Sequence, residues 1–342
     1  MKAVFFDKHG GPEVLRYGDI EDPVPGGGEV LIDVKASSLN HLDIFVRRGI
    51  PGIRLPHIPG SDASGVVAAV GDGVTGVSVG ERVLVNPAFS CGWCEFCIRG
   101  DHSMCRSFKI LGEQVRGACC EKLVVPGENV IAIPESMSFT DAAAVPLVFV
   151  TSWRMLITRG RLRAGETVLV LGAASGVGTA CIQIAKVAGA RVIACAGGDE
   201  KLKICAELGA DVLIDHTRED FSKRVREETG KRGVDVCVDH VGKDTWAKSV
   251  QSLAKGGRLV TCGATTGYEA TTDLRHVFFR QLEVIGSTMG SKVELLAALR
   301  LIFDGKMRAV VGKVVDLGNT AEAHRMMEAR KVIGKIVIRV GE

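Results

Sequence analysis

The sequence predicts a two-part α/β protein, in which a turn-rich β domain is interrupted by a doubly wound parallel sheet. Three observations carry this. Short β-patterned runs separated by Gly-rich turns fill the first third of the chain, the pattern of a compact β domain. From residue 167 onward, strand and helix patterns alternate six times, as a parallel sheet with crossover helices requires. A last strand pattern at 335–340 follows after that sheet is complete, so it returns to the N-terminal domain. The expected division is residues 1–148 with 289–342 for the β domain and 149–288 for the insertion. At ~150 residues per domain, 342 residues agree with two domains.

The elements follow in order. Strands are predicted at 3–6, 30–34, 66–70 and 82–85, with a turn at 25–28 and a Gly-rich stretch at 71–80. Loops dominate 86–110, and β character resumes at 122–125 and 129–133. The run 167–171 reads as a buried strand. A helix follows with Val177, Cys181, Ile184 and Ala188 on one face, stopped by Gly189. Then come strand 191–196, helix 200–208, strand 212–214, helix 220–229, strand 234–238 and helix 245–253. Strand 259–262, helix 273–280 and strand 283–285 complete the alternation, and amphipathic helices are predicted at 292–303 and 320–330.

Composition narrows the function classes. Lys plus Arg is 43 against 40 for Asp plus Glu, too balanced for a nucleic-acid or anionic-membrane binder. The longest uncharged run, 167–185, contains Gly172, Gly176 and Gly178, and is split by a turn signal rather than spanning a bilayer. No apolar signal core follows Met1 and Lys2, and eleven cysteines cannot all pair internally. These features imply reduced thiols and a cytoplasmic protein.

The first strand of the insertion ends at Leu171-Gly172, and Ala173-Ala174-Ser175-Gly176-Val177-Gly178 opens the helix. Small residues at this turn let the backbone approach a pyrophosphate, and the helix N-terminus presents free N–H groups to it. Ala173 and Ser175 stand where two glycines of the G-x-G-x-x-G pattern would be; the β-α context makes the match a dinucleotide site. Ser175, Gly176, Val177 and Gly178 are the expected contacts. The second strand ends at Ala196-Gly197-Gly198, with Lys201 beyond. These small residues leave room for a ribose 2′-phosphate and Lys201 supplies charge, which favours NADP(H), with NAD(H) as the alternative should Asp199 bind the ribose. The preferred reading makes Asp199 the N-cap of the next helix.

Cys91, Cys94, Cys97 and Cys105 give the spacing C-x₂-C-x₂-C-x₇-C in a loop that contains Gly92 and Gly100. Four thiols so placed suit a closed tetrahedral structural zinc site, one ion per chain. The iron–sulfur run that begins the same way continues with x₃ and Cys-Pro, which this chain lacks.

Together these features resemble the medium-chain dehydrogenase/reductase superfamily, the zinc alcohol dehydrogenases and quinone oxidoreductases. The resemblance covers essentially the whole chain. It rests on Pro25-Gly26-Gly27-Gly28-Glu29-Val30, Pro59-Gly60-Ser61-Asp62, Val79-Gly80-Glu81-Arg82-Val83, the four-cysteine lobe at 86–110, the 172–178 turn and Gly334-Lys335-Ile336-Val337. It implies a GroES-like β domain carrying an inserted Rossmann domain. It also implies cofactor contacts at Thr151, Val241, Gly263, Ala264, Thr265, Ser287, Thr288, Met289 and Lys335, with the nicotinamide in the cleft between domains. Homodimers or homotetramers joined through the doubly wound domain are usual in the family.

Departures from the family pattern point to the chemistry. Alcohol-oxidising members hold a second, catalytic zinc. The matching ligand positions here are Asn40, Ser61 and a site near Leu147, none a usual zinc ligand. Leu42 replaces the hydroxyl of the proton relay. The Asn40-x-x-Asp43 pattern is similar to the quinone oxidoreductase branch. Without a metal, hydride transfer needs an acceptor that already delocalises charge: a quinone, enone, enal or enoyl thioester. The expected catalytic residues are Asn40 as amide donor, His41 as donor, relay or pyrophosphate contact, and Asp43 in support; His57 is read as packing. The expected partner is a small-molecule substrate, with neither nucleic acid nor membrane. Two rival readings are a zinc-dependent alcohol or polyol dehydrogenase and an NADPH-binding protein with a non-enzymatic role. The second would need a basic groove with aromatics, and Tyr17 and Tyr268 are the only tyrosines.

Overall fold

A computed structural model describes residues 1–341. Packing divides the chain into two units. One comprises Met1–Leu147, Ser291–Phe303 and the chain from Arg308 onward; the other comprises Val148–Gly290 with Asp304–Met307.

The second unit is built on six parallel strands: Thr167–Leu171, Arg191–Ala196, Val212–Asp215, Val234–Val238, Leu253–Thr261 and Glu283–Gly286. Numbered one to six along the chain, they lie in the order 3-2-1-4-5-6. This is the doubly wound Rossmann order, and the direction of winding reverses beside the first strand. Val168 to Leu171 are all buried, which explains their continuous apolar run, since a strand covered on both faces has no polar side to alternate with. Leu169, Leu171, Ile193, Cys195, Ile214, Cys237 and Leu259 form one core, joined by Phe221 and Val225 of helix Phe221–Glu228.

The first unit is a GroES-like β domain. Its seven-stranded sheet runs Val311–Asp316, Lys335–Arg339, Glu29–Ser38, Asp62–Val70, Arg82–Val85 and Val130–Ala132, with Lys122–Pro126 also paired on Glu29–Ser38. The central strand alternates buried and half-buried residues along most of its ten positions, the period-2 pattern that fixes its register. Strand Lys335–Arg339 pairs antiparallel with it, Val337 opposite Ser38. The peptide N–H of Leu39 donates to Ile336 O at 3.0 Å, so the register carries Lys335 to Asn40.

Several elements differ from expectation, among them strand Arg16–Asp19 and helix Pro146–Trp153, and two bear on the account of the GroES-like unit. Residues 41–48 form helix His41–Arg48, only eight residues long and with the buried polar residues Asp43 and Arg47 interrupting its apolar face. Strand Val311–Asp316 is an edge strand with no fully buried residue, so it lacks the alternation that marks a half-buried strand. Among the described residues, no helix is long and apolar enough to cross a membrane.

Candidate active site and metal centre

In the Rossmann unit, strand Thr167–Leu171 ends at Gly172, whose φ of 55° is the left-handed conformation. Helix Gly176–Val187 begins after Ser175, whose Oγ accepts the Gly178 N–H at 3.0 Å. A Cβ on Gly178 would stand 2.3 Å from Gly172 O; the helix is therefore seated directly on the turn. The amides of Gly176 and Val177 precede every carbonyl of their own helix, so they are available to an anion at the positive end of the helix dipole. At the carboxyl ends of the fourth and sixth strands, His240 Nε2 and Ser287 Oγ are buried without a hydrogen-bond partner among the described residues. A phosphate cradle and two unpaired polar atoms at this edge of the sheet fit a dinucleotide.

The other expected cofactor contacts surround that edge. A Cβ on Gly242, next to Val241, would meet Ala264 Cα at 2.8 Å, and Thr266 Oγ1 donates to Val241 O at 2.9 Å. The loop of Gly263, Ala264 and Thr265 is thereby held against Val241. Thr151 Oγ1 lies 3.9 Å from Met289 Sδ, and Met289 keeps a left-handed φ of 48°, a strained conformation for a side-chain-bearing residue. Ser287 and Thr288 lead from strand Glu283–Gly286 to Met289.

At the end of strand Arg191–Ala196, one expectation is corrected. The N-cap of helix Asp199–Glu207 is Gly198, with φ of 88°, and Asp199 is the first helical residue. Instead of capping, the Asp199 carboxylate accepts both Arg218 terminal nitrogens at 2.9 Å. Only glycine adopts Gly198's backbone without strain, so the helix starts one residue earlier than the capping pattern implies. Gly197 stands against His216 and Thr217, within 3.1 Å of a Cβ placed there. The strand itself ends on Ala196 without a carboxylate, and Lys201 follows in the helix. Arg218, overlooked in the sequence, brings a guanidinium to this edge and also pairs with Asp215 at 3.2 Å.

In the GroES-like unit, a buried polar cluster collects Ser38, Asn40, Asp43, Asp62 and Lys335. Asp43 is fully buried, and its two oxygens accept the Asn40 and Gly60 N–H groups, each at 2.7 Å. Burial nevertheless pushes its carboxyl up to about 6, against the pull of those two donors and of Lys335. Asp62, also fully buried, accepts Ser38 Oγ at 2.9 Å, Asn40 Nδ2 at 2.9 Å and Lys335 Nζ at 3.0 Å on one oxygen. Its other oxygen accepts the Leu147 N–H at 2.8 Å. Lys335 Nζ donates also to Asn40 Oδ1, at 2.5 Å. Thus Lys335, expected to contact the cofactor, here pairs with Asp62 and Asn40. The Asn40-x-x-Asp43 spacing is a capping box: Asp43 accepts the Asn40 N–H, the Asn40 side chain faces the Asp43 N–H, and the Asn40 amide also serves the cluster.

The three positions matching catalytic-zinc ligands do not make a metal site. The Asn40 amide is committed to a cation and a carboxylate. Ser61 is fully buried, its hydroxyl unpartnered among the described residues. Leu147 offers an alkyl side chain. His41 is exposed at the start of its helix, 6.3 Å from the Phe45 ring. His57 is buried with Nε2 3.0 Å from Gly112 O, and burial depresses its pKa.

The four lobe cysteines converge. Their sulfurs all lie within 4.8 Å of one another, and no other group of three or more His, Cys, Asp or Glu among the described residues is arranged to hold a metal. Cys91 and Cys97 Sγ are 3.9 Å apart and Cys94 and Cys97 Sγ 3.6 Å. Four sulfurs at ~2.3 Å around one zinc would stand about 3.8 Å apart, whereas a disulfide needs ~2.0 Å. Backbone amides aim at the sulfurs: Cys94 N–H at Cys91 Sγ at 3.4 Å, and Cys91 and Ser107 N–H at Cys105 Sγ, each at 3.3 Å. Such donors favour thiolates over thiols, so the donor set fits a structural zinc.

Comparison with known proteins agrees with this architecture. Residues 26–135 match the alcohol dehydrogenase GroES-like domain, and residues 176–304 match the zinc-binding dehydrogenase family. The acryloyl-coenzyme A reductase of Metallosphaera sedula is 32% identical over 342 residues, covering 99% of both chains. The quinone oxidoreductase of Homo sapiens is 30% identical over 348 residues, covering 99% of this chain and 97% of its own. A crystal structure of an NAD-dependent alcohol dehydrogenase is 47% identical, superposes with a TM-score of 0.97 and covers 100% of both chains.

Proposed function

The chain belongs to the medium-chain dehydrogenase/reductase superfamily of oxidoreductases, and on that premise we propose that it reduces a quinone or an activated C=C bond, in an enone, enal or enoyl thioester, without a catalytic metal. The observation that carries this reading is the Asn40 cluster. Where alcohol-oxidising relatives need metal ligands, this chain packs an amide whose oxygen faces an ammonium and whose nitrogen faces a carboxylate. The likeness to an acryloyl-coenzyme A reductase and a quinone oxidoreductase supports the same substrate classes.

A reduced nicotinamide bound at the 172–178 turn would supply the hydride. The amides of Gly176 and Val177 would hold its phosphates, and the segment from Ser287 to Met289 with Thr151 would orient the ring. As hydride bonds to the electrophilic carbon of the acceptor, the C=C electron pair moves toward the carbonyl oxygen. The Asn40 N–H that remains uncommitted is the donor to that oxygen, an interaction that strengthens as charge develops there. The proton needed at the adjacent carbon comes from water. Cys91, Cys94, Cys97 and Cys105 would hold one structural zinc that clamps the lobe, and a closed set of four ligands would keep it out of the reaction. NADP(H) is the proposed cofactor: the second strand ends without an acid, Asp199 is neutralised by Arg218, and the neighbouring residues are small. The chain is proposed to act as a homodimer or homotetramer, which light scattering would read directly.

Turnover of NADPH and NADH against a panel of quinones, enals, enones and enoyl thioesters tests the reading. Reduction of at least one acceptor class, with NADPH bound more tightly than NADH, is expected; equal catalytic efficiency with NADH would overturn the cofactor assignment. Alcohol oxidation is the second reading, favoured by the 47%-identical NAD-dependent alcohol dehydrogenase. Oxidation of simple alcohols with no reduction of any acceptor in the panel would establish it.

A further inference from the structure

Lys335 is only 4% exposed, yet it does more than neutralise Asp62. Its ammonium bridges Asp62 Oδ2 at 3.0 Å and Asn40 Oδ1 at 2.5 Å, while Asn40 Nδ2 donates to the same Asp62 oxygen at 2.9 Å. An ammonium can only donate and an ionised carboxylate can only accept. Asn40 lies between them, so its amide has one orientation: oxygen to Lys335, nitrogen to Asp62. A flip would set NH₂ against ammonium and carbonyl against carboxylate, two repulsive contacts in a buried site. One amide hydrogen is committed to Asp62, and the planarity of the group then fixes the direction of the other. Asn40 is also the most accessible member, 7% exposed against 0% for Ser38, Asp43 and Asp62.

We propose that Lys335 is a positioning residue whose ammonium locks and polarises the Asn40 amide as the hydrogen-bond donor for the acceptor oxygen. The catalytic half of this assignment rests on the reduction proposed above; the positioning half does not. Drawing electron density toward Oδ1 makes the remaining N–H a stronger donor. A fixed internal cation thus acts through an amide on the oxygen that gains charge.

The test compares the wild type with Lys335→Met, Asn40→Ala, their double variant, and Lys335→Met/Asp62→Asn. The last removes both buried charges together and guards against loss of fold by an unpaired Asp62. Near-UV circular dichroism checks that each variant is folded. The expected loss in kcat for either single substitution is about 10²-fold, the scale of one oxyanion donor. KM for the acceptor and Kd for NADPH should stay within about twofold, well below the ~10-fold of a 1.4 kcal/mol contact. The Lys335→Met/Asn40→Ala protein should be no slower than Asn40→Ala, because the two act as a unit. In asparagine-¹⁵N-labelled protein, the Asn40 side-chain signals, identified by their absence in Asn40→Ala, should be well dispersed. They should shift and exchange faster with solvent in the charge-free pair.

An unchanged kcat in the charge-free pair, or a loss that falls on NADPH affinity, overturns the proposal; the latter would make Lys335 a cofactor contact. If the wild type reduces no acceptor, the reduction reading falls, and the amide signals still decide whether Lys335 positions Asn40. Unchanged signals in the charge-free pair refute positioning.

Discussion

Replacing Asp43 by asparagine should remove a pH dependence from the stability of the GroES-like unit. The wild-type carboxyl is fully buried and pushed from 3.8 up to about 6. That rise corresponds to about 3 kcal/mol between its protonation states. Because the folded pKa lies above the unfolded one, the stabilising contribution belongs to the protonated form. It is fully present below pH 3.8 and is lost as pH rises through about 6. The amide introduced by Asp43→Asn does not ionise, so that loss vanishes in the variant. The substitution has its own constant cost: an amide accepts only through its oxygen, so one of the N–H groups of Asn40 and Gly60 loses its acceptor, worth about 1–3 kcal/mol. That cost does not change with pH and drops out of the comparison. Amide hydrogen exchange of the peptides spanning 36–48 and 57–66 reads local opening free energy without assuming one unfolding step for two units. With wild type and variant measured at the same pH, their difference should change by about 2 kcal/mol between about pH 4 and 6.5, the wild type losing stability as pH rises. A difference that is flat across this range would refute the reasoning.

Three other outcomes follow from the same structure. Cys97→Ser should lower bound zinc from one ion per chain to well below one and increase hydrogen exchange in 86–110, leaving exchange in the Rossmann strands unchanged; full zinc occupancy in the variant would count against the four-sulfur site. Gly178→Ala forces a methyl to within 2.3 Å of Gly172 O, so NADPH affinity should weaken about tenfold or more, about 1.4 kcal/mol, by fluorescence titration; unchanged affinity would mean the turn is not the cradle. Arg47 is fully buried and donates to Gly10 O, Glu328 and His324 Nδ1, so Arg47→Met should destabilise the GroES-like unit by about 3 kcal/mol, seen as a lower unfolding temperature.

Much of the architecture was legible because each Rossmann element carries a strong local signal. The continuous apolar run of Thr167–Leu171 and the turn after it identify the first strand and cofactor helix without long-range information. Four cysteines within fifteen residues likewise place the lobe's sulfurs close together by chain length alone. The Asn40 cluster is different. Its members come from residues 38–43, 62 and 335, and only antiparallel pairing of the last strand with Glu29–Ser38 brings Lys335 to Asn40. No local pattern encodes that meeting, so the sequence suggested Lys335 as a cofactor contact and Asn40 as an amide donor, with no link between them. The start of helix Asp199–Glu207 was misjudged by one residue for a local reason: Asp199 is a good capping type, but the left-handed Gly198 precedes it and Arg218 takes its carboxylate. Edge strand Val311–Asp316 was silent because solvent covers most of it.

Hydride transfer in this protein is proposed to proceed without a catalytic metal. The most direct measurement is the zinc-to-protein ratio, by elemental analysis, of a preparation whose acceptor turnover has been recorded on the same day. One zinc per chain, held by Cys91, Cys94, Cys97 and Cys105, is expected in protein that reduces a quinone or activated alkene. Two zinc ions per chain, with turnover that falls as the second is removed, would contradict it.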